Sequence, residues 1–320
     1  MNGALTVLAY HRVIDPAAAA GAYLPNVSAT PAGFAAQLDF LAARYDIIAA
    51  EDLVAWLEER GPLPPRPLLI TFDDGYRDNH ENAFPLLRER NLPAVIFLAT
   101  DYIGRGEPFL GDRAAWIFTR ATCHESRLPL LGHRRWDTEN QRQAVLKEWL
   151  GRLKPLPDAE RRAAVDELAV SLEVAPSPDQ FAGLHASWNE VREMSAHGIV
   201  MGGHTRTHPI LTRIPPAEAE EEIRSCKQRI EKETGLPVRT FAYPNGQPGD
   251  FNDVTEALLR RHGFAAAFTL LPGPARWSEA RRQPLAIRRI FISHKDDPVR
   301  FVLKLLGLPR FRDRLSGAAA

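Results

Sequence analysis

The sequence is poor in cysteine and has no excess of charge of either sign. It contains only two cysteines, Cys123 and Cys226, in 320 residues, which is too few for the disulfide framework of a small secreted domain. Cys226 lies at helical spacing from Ile223 and Ile230, a pattern that favours a buried free thiol. Forty basic residues balance forty acidic residues, so nothing indicates the positive surface that nucleic acid binding requires.

Long apolar runs are also absent. No stretch reaches the roughly 18 to 20 apolar residues of a transmembrane helix. The first ten residues lack the basic start and the apolar stretch of a secretory signal, and they are more typical of a first strand. We therefore expect a soluble cytoplasmic enzyme, and a hydrophobic content of 45% over 320 residues is enough for one large domain.

Two motifs carry candidate chemistry. Leu68–Gly75 (LLITFDDG) brings the adjacent carboxylates of Asp73 and Asp74 to a glycine turn, and Gly202–His208 (GGHTRTH) places two imidazoles four residues apart. One Asp and two His form a ligand set that suits a catalytic Zn²⁺ or a similar ion. Since consecutive side chains diverge in extended backbone, one Asp can bind the metal while the other acts as a general base toward water.

Each motif alone also has an ordinary explanation. An Asp-Asp-Gly sequence is most often a turn, and two histidines four residues apart are usually surface or core residues. Here both motifs directly follow apolar, strand-like runs. The ends of such strands are where α/β sheets and barrels build their sites, so the combination favours a functional site.

Strand-like and helix-like segments alternate along most of the chain. Strands are predicted at about 47–48, 68–72, 94–99, 199–203, 239–243, 265–270 and 286–292, and helices at about 30–44, 51–60, 79–90, 217–234 and 252–262. This repeated order is the signature of a parallel sheet or barrel, and periodicity does not distinguish the two.

A middle segment, about 101–186, breaks this order. It contains two polar helical stretches, at about 138–153 and 158–172, and no strand of comparable quality. We predict a single domain over 1–320 that carries this segment as a helical insertion above the loop face of the barrel, where binding surfaces are often added. A basic, amphipathic tail is predicted at about 298–320.

At this point the motifs resemble a known family. Thr71–Gly75 and His204–His208 look like the first two motifs of the polysaccharide deacetylases, the NodB-homology carbohydrate esterases of family 4. Similar stretches from the exopolysaccharide-associated branch match at 9–13, 34–38, 93–97, 188–192, 241–246 and 289–290. The resemblance implies an α/β fold, a distorted and incompletely closed (β/α)₇ barrel, and removal of acetyl groups from N-acetylated sugars of a bacterial glycan.

The resemblance also implies roles for individual residues. Asp74, His204 and His208 would be the ligands of one divalent ion, with Zn²⁺ expected and Co²⁺, Ni²⁺ or Mn²⁺ as alternatives. Asp73 would be the general base. In the third motif the backbone N–H of Asn245 would stabilise the oxyanion, and Tyr243 is predicted beside it on the substrate side.

The third motif departs from the common family pattern. Many members have Arg-Pro-Pro-Tyr-Gly, whereas this chain has AYPNG at Ala242–Gly246, so the Arg that orients the base is replaced by Ala242. Arg289, near the end of a predicted strand, is a candidate to supply the positive charge. A surface salt bridge would explain Arg289 equally well.

The general acid is also missing from its usual place, because the late Leu-x-x-His motif of the family corresponds here to a segment without histidine, 285–289. His11 follows the first strand and is our first candidate, ahead of His294. The alternative is that His11 only forms hydrogen bonds at the rim of the barrel.

Two other function classes stay open. One is a small-molecule hydrolase that opens cyclic amides or imides on the same scaffold, and the other is a glycan-binding or metal-binding protein without turnover. The tail could rest on an anionic membrane surface, although a terminal helix packed on the barrel is the simpler prediction.

Overall fold

The computed structural model describes residues 3–17, 26–175 and 177–308. The strands are β1 (Ala4–Tyr10), β2 (Arg12–Val13), β3 (Val27–Ala29), β4 (Asp46–Ile47), β5 (Pro67–Phe72), β6 (Ala94–Leu98), β7 (Glu125–Leu128), β8 (Gly132–Arg135), β9 (Ile199–Gly203), β10 (Thr240–Ala242), β11 (Ala266–Phe268), β12 (Ala275–Arg276) and β13 (Ile290–Phe291).

The helices alternate with these strands. They are α1 (Pro31–Ala42), α2 (Ala50–Leu57), α3 (Phe84–Glu89), α4 (Leu110–Arg120), α5 (Glu139–Leu153), α6 (Asp158–Ser171), α7 (Trp188–Ala196), α8 (Pro216–Thr234), α9 (Asp253–Arg261), α10 (Trp277–Arg282) and α11 (Pro298–Leu305). A π-helical turn, Asn79–Ala83, precedes α3, and short 3₁₀ turns occur at Pro178–Phe181 and Leu211–Arg213.

Parallel strands form an open barrel. Their order is β13, β1, β5, β6, β9, β10 and β11, with β4 added beside β5 and β12 antiparallel to β1. Among the described residues, a single isolated bridge between Phe268 and Ile287 links the two ends. The predicted α/β fold, a distorted and incompletely closed barrel, is confirmed.

The strands are buried on both faces, as parallel strands in an α/β protein must be. Successive residues of β1 and β5 belong to different hydrophobic clusters, since side chains alternate along a strand. Val7 and Leu69 point into the barrel and pack with the inward-facing residues of β6. Leu8 and Ile70 point outward and pack against the surrounding helices. The continuous apolar runs in the sequence thus correspond to two cores that share one sheet.

Helix ends follow local signals in the sequence. The Thr30 side chain accepts a hydrogen bond from the Gly33 backbone N–H and caps α1. Ser187 and Glu190 form the predicted capping box of α7. Gly235 ends α8 in the left-handed conformation, with φ of 71°, which glycine adopts without steric cost.

The middle segment has a hydrophobic cluster of its own, which extends from Ala114 to Phe181 and surrounds the buried Trp149. The two helices predicted there are present as α5 and α6. The prediction of a helical insertion was incomplete, because the segment also contains a third helix, α4, and the antiparallel hairpin of β7 and β8. The hairpin strands are mostly polar and exposed, so they give little apolar alternation to detect.

The described part of the predicted tail is the helix α11. Phe301 and Leu305 are buried on the barrel side, and the Phe301 ring meets Phe40 edge-on at 6.1 Å. The rest of the tail, 309–320, lies outside the described residues. Within the described ranges, no helix combines the length and the hydropathy needed to span a bilayer.

Candidate active site

The parallel strands of the barrel bring the residues that follow them to one end. There they line a cavity of about 400 Å³, within the range of roughly 300–1,000 Å³ that is typical of ligand sites. The predicted site residues that line it are His11, Asp73, Asp74, His204, His208 and Asn245. This position matches the general rule that α/β folds place their sites at the carboxyl ends of strands.

Asp74, His204 and His208 face one another in this cavity. The Nε2 atoms of both histidines lie 3.4 Å from Asp74 Oδ1, and the three donor atoms lie within 4.8 Å of one another. Asp74 is buried and its Oδ1 has no hydrogen-bond partner among the described residues. A buried carboxylate oxygen without a partner is costly, so this cluster has the character of a ligand set.

The donor set fits a divalent ion. Ligands at about 2.0–2.2 Å around a tetrahedral ion are about 3.3–3.6 Å apart, which agrees with the two separations of 3.4 Å. His204 Nδ1 lies 2.7 Å from the carbonyl oxygen of Ala242. Because a carbonyl only accepts, Nδ1 donates, and the lone pair of a neutral ring is then on Nε2, toward Asp74.

Charge and burial act on these groups in opposite directions. Burial alone would raise the pKa of Asp74, but the nearby imidazoles of His204, His11 and His208 outweigh it, and the pKa is lowered. Burial lowers the pKa of His208 to about 3. Asp74 is therefore ionised and His208 neutral at neutral pH, the forms that bind a metal.

The loop that carries the histidines has an unusual backbone. Thr205 and His208 both have positive φ, 67° and 60°, which non-glycine residues rarely adopt. Glu222 of α8 accepts hydrogen bonds from the backbone N–H groups of Arg206 and Thr207 at 2.8 and 2.7 Å, and from the Thr207 hydroxyl at 2.8 Å. One buried carboxylate thus holds the loop in this conformation.

Asp73 has a different partner from its neighbour. Arg289 donates to both of its carboxylate oxygens at 2.7 Å, and both residues are buried. Arg289 also donates to Thr71 Oγ1 at 3.1 Å and to the Thr269 carbonyl at 3.0 Å. Burial would raise the pKa of Asp73, but Arg289, His204 and His11 lower it overall. The arginine predicted to replace the missing one is thus in bidentate contact with the carboxylate, and the surface salt bridge considered for it is absent.

His11 lies at the rim of the same cavity. Its Nε2 is 4.0 Å from Asp73 Oδ2, and its buried Nδ1 has no hydrogen-bond partner among the described residues. The second candidate acid, His294, instead directs its Nδ1 to the carbonyl oxygen of Val27 at 3.0 Å. Of the two histidines, only His11 lines the cavity.

The third motif places its two candidate residues differently. Asn245 lines the cavity with φ of 64°, and among the described residues no hydrogen bond uses its backbone N–H. The prediction of Tyr243 as a substrate-side residue needs correction. Its hydroxyl donates to the carbonyl of Leu285 at 2.9 Å, its backbone N–H donates to the carbonyl of Phe268, and its ring stacks on Phe251 in the core.

The middle segment contributes cavity residues that the motifs did not identify. The Phe109 ring lies 4.6 Å from the His208 ring and 4.2 Å from the Tyr102 ring. Leu150, Leu153, Lys154, Asp158, Arg161 and Arg162 line the cavity from the end of α5 and the start of α6. The signal for them was the position of the predicted insertion above the loop face, which indicated a surface but no individual side chain.

Comparisons with known proteins agree with these motifs. The sequence model of the polysaccharide deacetylase family matches residues 60–267. YxkH of Bacillus subtilis (strain 168) is 22% identical over 208 residues, which cover 65% of this chain and 46% of that protein. The poly-β-1,6-N-acetyl-D-glucosamine N-deacetylase of Staphylococcus epidermidis is 33% identical over 82 residues, 25% of this chain and 28% of that enzyme. The chain thus spans less than half the length of either relative.

Solved structures with the same fold cover nearly the whole chain. The Streptococcus pyogenes deacetylase PplD, in complex with acetate, has a TM-score of 0.62 at 18% identity and covers 95% of this chain and 99% of its own. IcaB from Ammonifex degensii has a TM-score of 0.58 at 21% identity, over 92% and 93% of the two chains. At such identities the likeness shows the fold, while the match of the family model over 60–267 shows the kinship. This chain belongs to the polysaccharide deacetylase family.

Proposed function

We propose that this protein is a metal-dependent N-deacetylase that releases acetate from N-acetylated sugars of a bacterial glycan. The observation that carries the proposal is the cluster of Asp74, His204 and His208 directly beside the ion pair of Asp73 and Arg289. Family membership supports the reaction class. The relative from Staphylococcus epidermidis, named as an enzyme that acts on poly-β-1,6-N-acetyl-D-glucosamine, supports an acetylated exopolysaccharide as the substrate class.

Asp74, His204 and His208 would hold the divalent ion, and their nitrogen and oxygen atoms suit Zn²⁺ best. When bound, such an ion acts as a Lewis acid that polarises a carbonyl and lowers the pKa of water. The carbonyl of Ala242 fixes the His204 ring by accepting from Nδ1. Outer partners of this kind orient ligands and are usually worth a factor of about 10 to 100 in metal affinity.

Asp73 would act as the general base. The lowered pKa keeps it ionised at neutral pH, the form that accepts a proton. The bidentate contact with Arg289 fixes the orientation of the carboxylate. As a water oxygen adds to the acetyl carbonyl carbon, Asp73 removes one proton from that water, and proton transfer from a positioned group contributes about 10² to 10⁴ in rate.

Two further groups complete the reaction. The backbone N–H of Asn245 would donate to the oxyanion of the tetrahedral intermediate, a contact typically worth about 3–4 kcal/mol. His11 would protonate the nitrogen as the C–N bond breaks, so that acetate and the free amino sugar are released. Its Nε2 is 4.0 Å from Asp73, close enough for both groups to serve the same reacting centre.

The test is acetate release from N-acetylglucosamine oligomers by protein reconstituted separately with Zn²⁺, Co²⁺, Ni²⁺ and Mn²⁺. We expect metal-dependent turnover, and we expect His204→Ala to lose bound metal and activity together. His11→Ala should reduce turnover of amides far more than that of activated esters, because their leaving groups need no proton.

Three results would contradict this proposal. Hydrolysis of cyclic amides or imides without activity on acetylated sugars would select the small-molecule hydrolase. Metal and glycan binding without turnover of any substrate would select a non-catalytic relative. Equal losses on amides and esters in His11→Ala would remove His11 from the role of acid.

A further inference from the structure

We propose that Arg161, with Arg162 and Lys154, forms a subsite for an anionic group of the glycan, a carboxylate or a phosphate next to the acetylated sugar. This inference rests on the proposed function, since it names the chemical class of the substrate at the same cavity. It predicts that the natural glycan is negatively charged, unlike a polymer of N-acetylglucosamine alone.

The subsite belongs to the middle segment and faces the catalytic residues. The chain leaves α5 at Leu153 and enters α6 at Asp158, and this connection passes along one wall of the cavity. Lys154, Arg161 and Arg162 line the same cavity as Asp73 and the predicted metal ligands. A group held here would therefore be part of the same bound glycan.

The guanidinium of Arg161 is largely buried and incompletely paired. Its side chain is 12% exposed, and its Nε and Nη1 atoms have no hydrogen-bond partner among the described residues. The carboxylate paired with it, Asp158, lies 3.5 Å away, from Oδ1 to Nη1. Buried donors of a charged group are costly without acceptors, so Arg161 is a strong site for oxygen atoms supplied by a ligand.

The nearby carboxylates do not satisfy the three cations. Asp158 also pairs with Arg162, whose Nε donates to Oδ2 at 2.8 Å. Asp250 already accepts from the Asn245 side chain and from the Gln247 backbone N–H, both at 2.9 Å. Across the cavity, Asp73 is paired with Arg289 through both carboxylate oxygens. The guanidinium of Arg161 thus keeps N–H donors for a ligand on the side of the cavity formed by the middle segment.

This arrangement suits an anion better than a neutral sugar. A guanidinium presents paired N–H donors that match the two oxygens of a carboxylate or phosphate, and such charged hydrogen bonds are about twice as strong as neutral ones. Sugar hydroxyls could accept single hydrogen bonds from Arg161, but they would leave its charge uncompensated. The subsite would therefore discriminate between glycans by charge.

The experiment compares matched acetylated oligosaccharides as substrates of the metal-loaded enzyme. One is a neutral N-acetylglucosamine oligomer, one alternates N-acetylglucosamine with glucuronic acid, and one carries a 6-phosphate beside the N-acetylglucosamine. We expect a higher kcat/KM for at least one anionic substrate, and the better of the two identifies the source of the charge. In Arg161→Gln, kcat/KM for that substrate should fall at least ten times more than for the neutral oligomer, and a charged hydrogen bond corresponds to a loss of roughly 10- to 100-fold.

The matched control is Arg152→Gln, since Arg152 is an exposed arginine of α5 that does not line the cavity. It should keep the wild-type preference. No preference in the wild type, or equal losses on neutral and anionic substrates in Arg161→Gln, would overturn the inference.

Binding separates this inference from the proposed function. Calorimetric titration of the same glycans into the protein with a chelator present should show tighter binding of the anionic one, and Arg161→Gln should abolish the difference. Charge-dependent binding without acetate release by any metal form would refute the deacetylase and leave the anionic subsite in place. Acetate release without any charge dependence would refute the anionic subsite and leave the deacetylase in place.

Discussion

At the scale of single residues, the site depends on two neighbouring carboxylates with different partners. Asp74 has φ of 77°, so the backbone turns sharply after Asp73. Asp73 consequently meets Arg289 from the far end of the chain, while Asp74 meets the two histidines. Two side chains of the same type can thus act as base and as ligand, because the local backbone directs each of them toward a different neighbour.

This division predicts different behaviour for two similar variants. Asp73→Asn keeps the shape of the side chain and removes the base, so metal should stay bound while kcat falls by about 10² to 10⁴. Asp74→Asn should lose metal as well as activity. Metal content by mass spectrometry, with acetate release on the same samples, measures both effects. Loss of metal from Asp73→Asn, with retention in Asp74→Asn, would reverse the two roles.

A check on folding belongs with this test, because Asp73 and Arg289 form a buried ion pair. Removing one charge from such a pair typically costs about 3–5 kcal/mol of stability. Circular dichroism on each variant separates loss of fold from loss of chemistry.

The residues of the site were predicted from the sequence to unequal degrees. The four motif residues Asp73, Asp74, His204 and His208 stand in two short segments whose spacing indicated the chemistry. Arg289 lies 216 positions from Asp73 and was proposed only because a base without an orienting charge would be incomplete. The packing of Tyr243 into the core and the cavity-facing position of Arg161 depend on how distant elements meet, and no local pattern records that.

At the scale of elements, the histidine loop is held by a helix that carries no catalytic group. Glu222 sits on α8 and is buried, and its carboxylate accepts from two backbone N–H groups and one hydroxyl of the loop. The positive φ values of Thr205 and His208 are conformations that cost free energy and persist when surrounding contacts fix them. Glu222 therefore acts through the loop on both predicted histidine ligands.

Glu222→Ala should weaken metal binding without removing a ligand. We expect the metal dissociation constant to rise by roughly 10- to 100-fold, as for other partners that orient ligands, with a smaller effect in Glu222→Gln. Competition with a calibrated chelator measures the affinity. The control is Glu221→Ala, which changes the exposed neighbour on the same helix. A Glu222→Ala variant with wild-type metal affinity would show that the loop keeps its conformation unaided.

Elements with strong local signals were predicted well from the sequence. The capping box at Ser187, the proline at the start of α1 and the glycine after α8 all mark observed helix ends. The hairpin of β7 and β8 was missed, because its residues are mainly charged or polar and its strands pack little apolar surface. Strand β13 is shorter than the predicted 286–292, since regular pairing with β1 extends over only Leu8 and Ala9.

At the scale of the whole molecule, the order of the segments predicted the architecture but not its closure. Alternating strands and helices indicate a parallel sheet, and the resemblance to the deacetylases supplied the open barrel. The bridge between Phe268 and Ile287 depends on how the two outer edges of the sheet meet, which periodicity does not encode. Stability is likewise a property of the whole fold, and we expect one buried residue outside the predicted site to make it sensitive to acid.

His185 is the residue concerned. It is 3% exposed, its ring stacks on Tyr76 at 5.2 Å, and neither ring nitrogen has a hydrogen-bond partner among the described residues. Burial lowers its pKa from 6.5 to about 3, although the charge of Asp74 acts in the opposite direction. Between pH 6.5 and 3 the unfolded chain therefore binds a proton at this residue that the folded protein does not bind.

The sign of the effect follows from this difference in proton binding. Because the unfolded state binds more protons in that window, the free energy of unfolding falls as the pH is lowered, by about 1.4 kcal/mol per pH unit for one such group. The lowered pKa values of Asp73, Asp74 and glutamates such as Glu190 also reduce stability as the pH falls toward 4, so the contribution of His185 is the difference between two proteins that share these carboxylates. His208 acts in the same direction, and the raised pKa of His204 acts in the opposite one. Both residues are unchanged in the comparison that follows.

His185→Phe should make the protein less sensitive to acid. Phenylalanine keeps an aromatic ring against Tyr76 and removes the proton acceptor, so the loss of unfolding free energy between pH 6.5 and 4 should be smaller than in the wild type by roughly 1.4 kcal/mol per pH unit. Urea denaturation at several pH values, with a chelator present throughout, measures the difference. His133→Phe is the control, since His133 is 68% exposed and should keep the wild-type slope. Parallel pH profiles for His185→Phe and the wild type would mean that His185 takes up its proton equally in both states, in which case the acid sensitivity of the fold arises elsewhere.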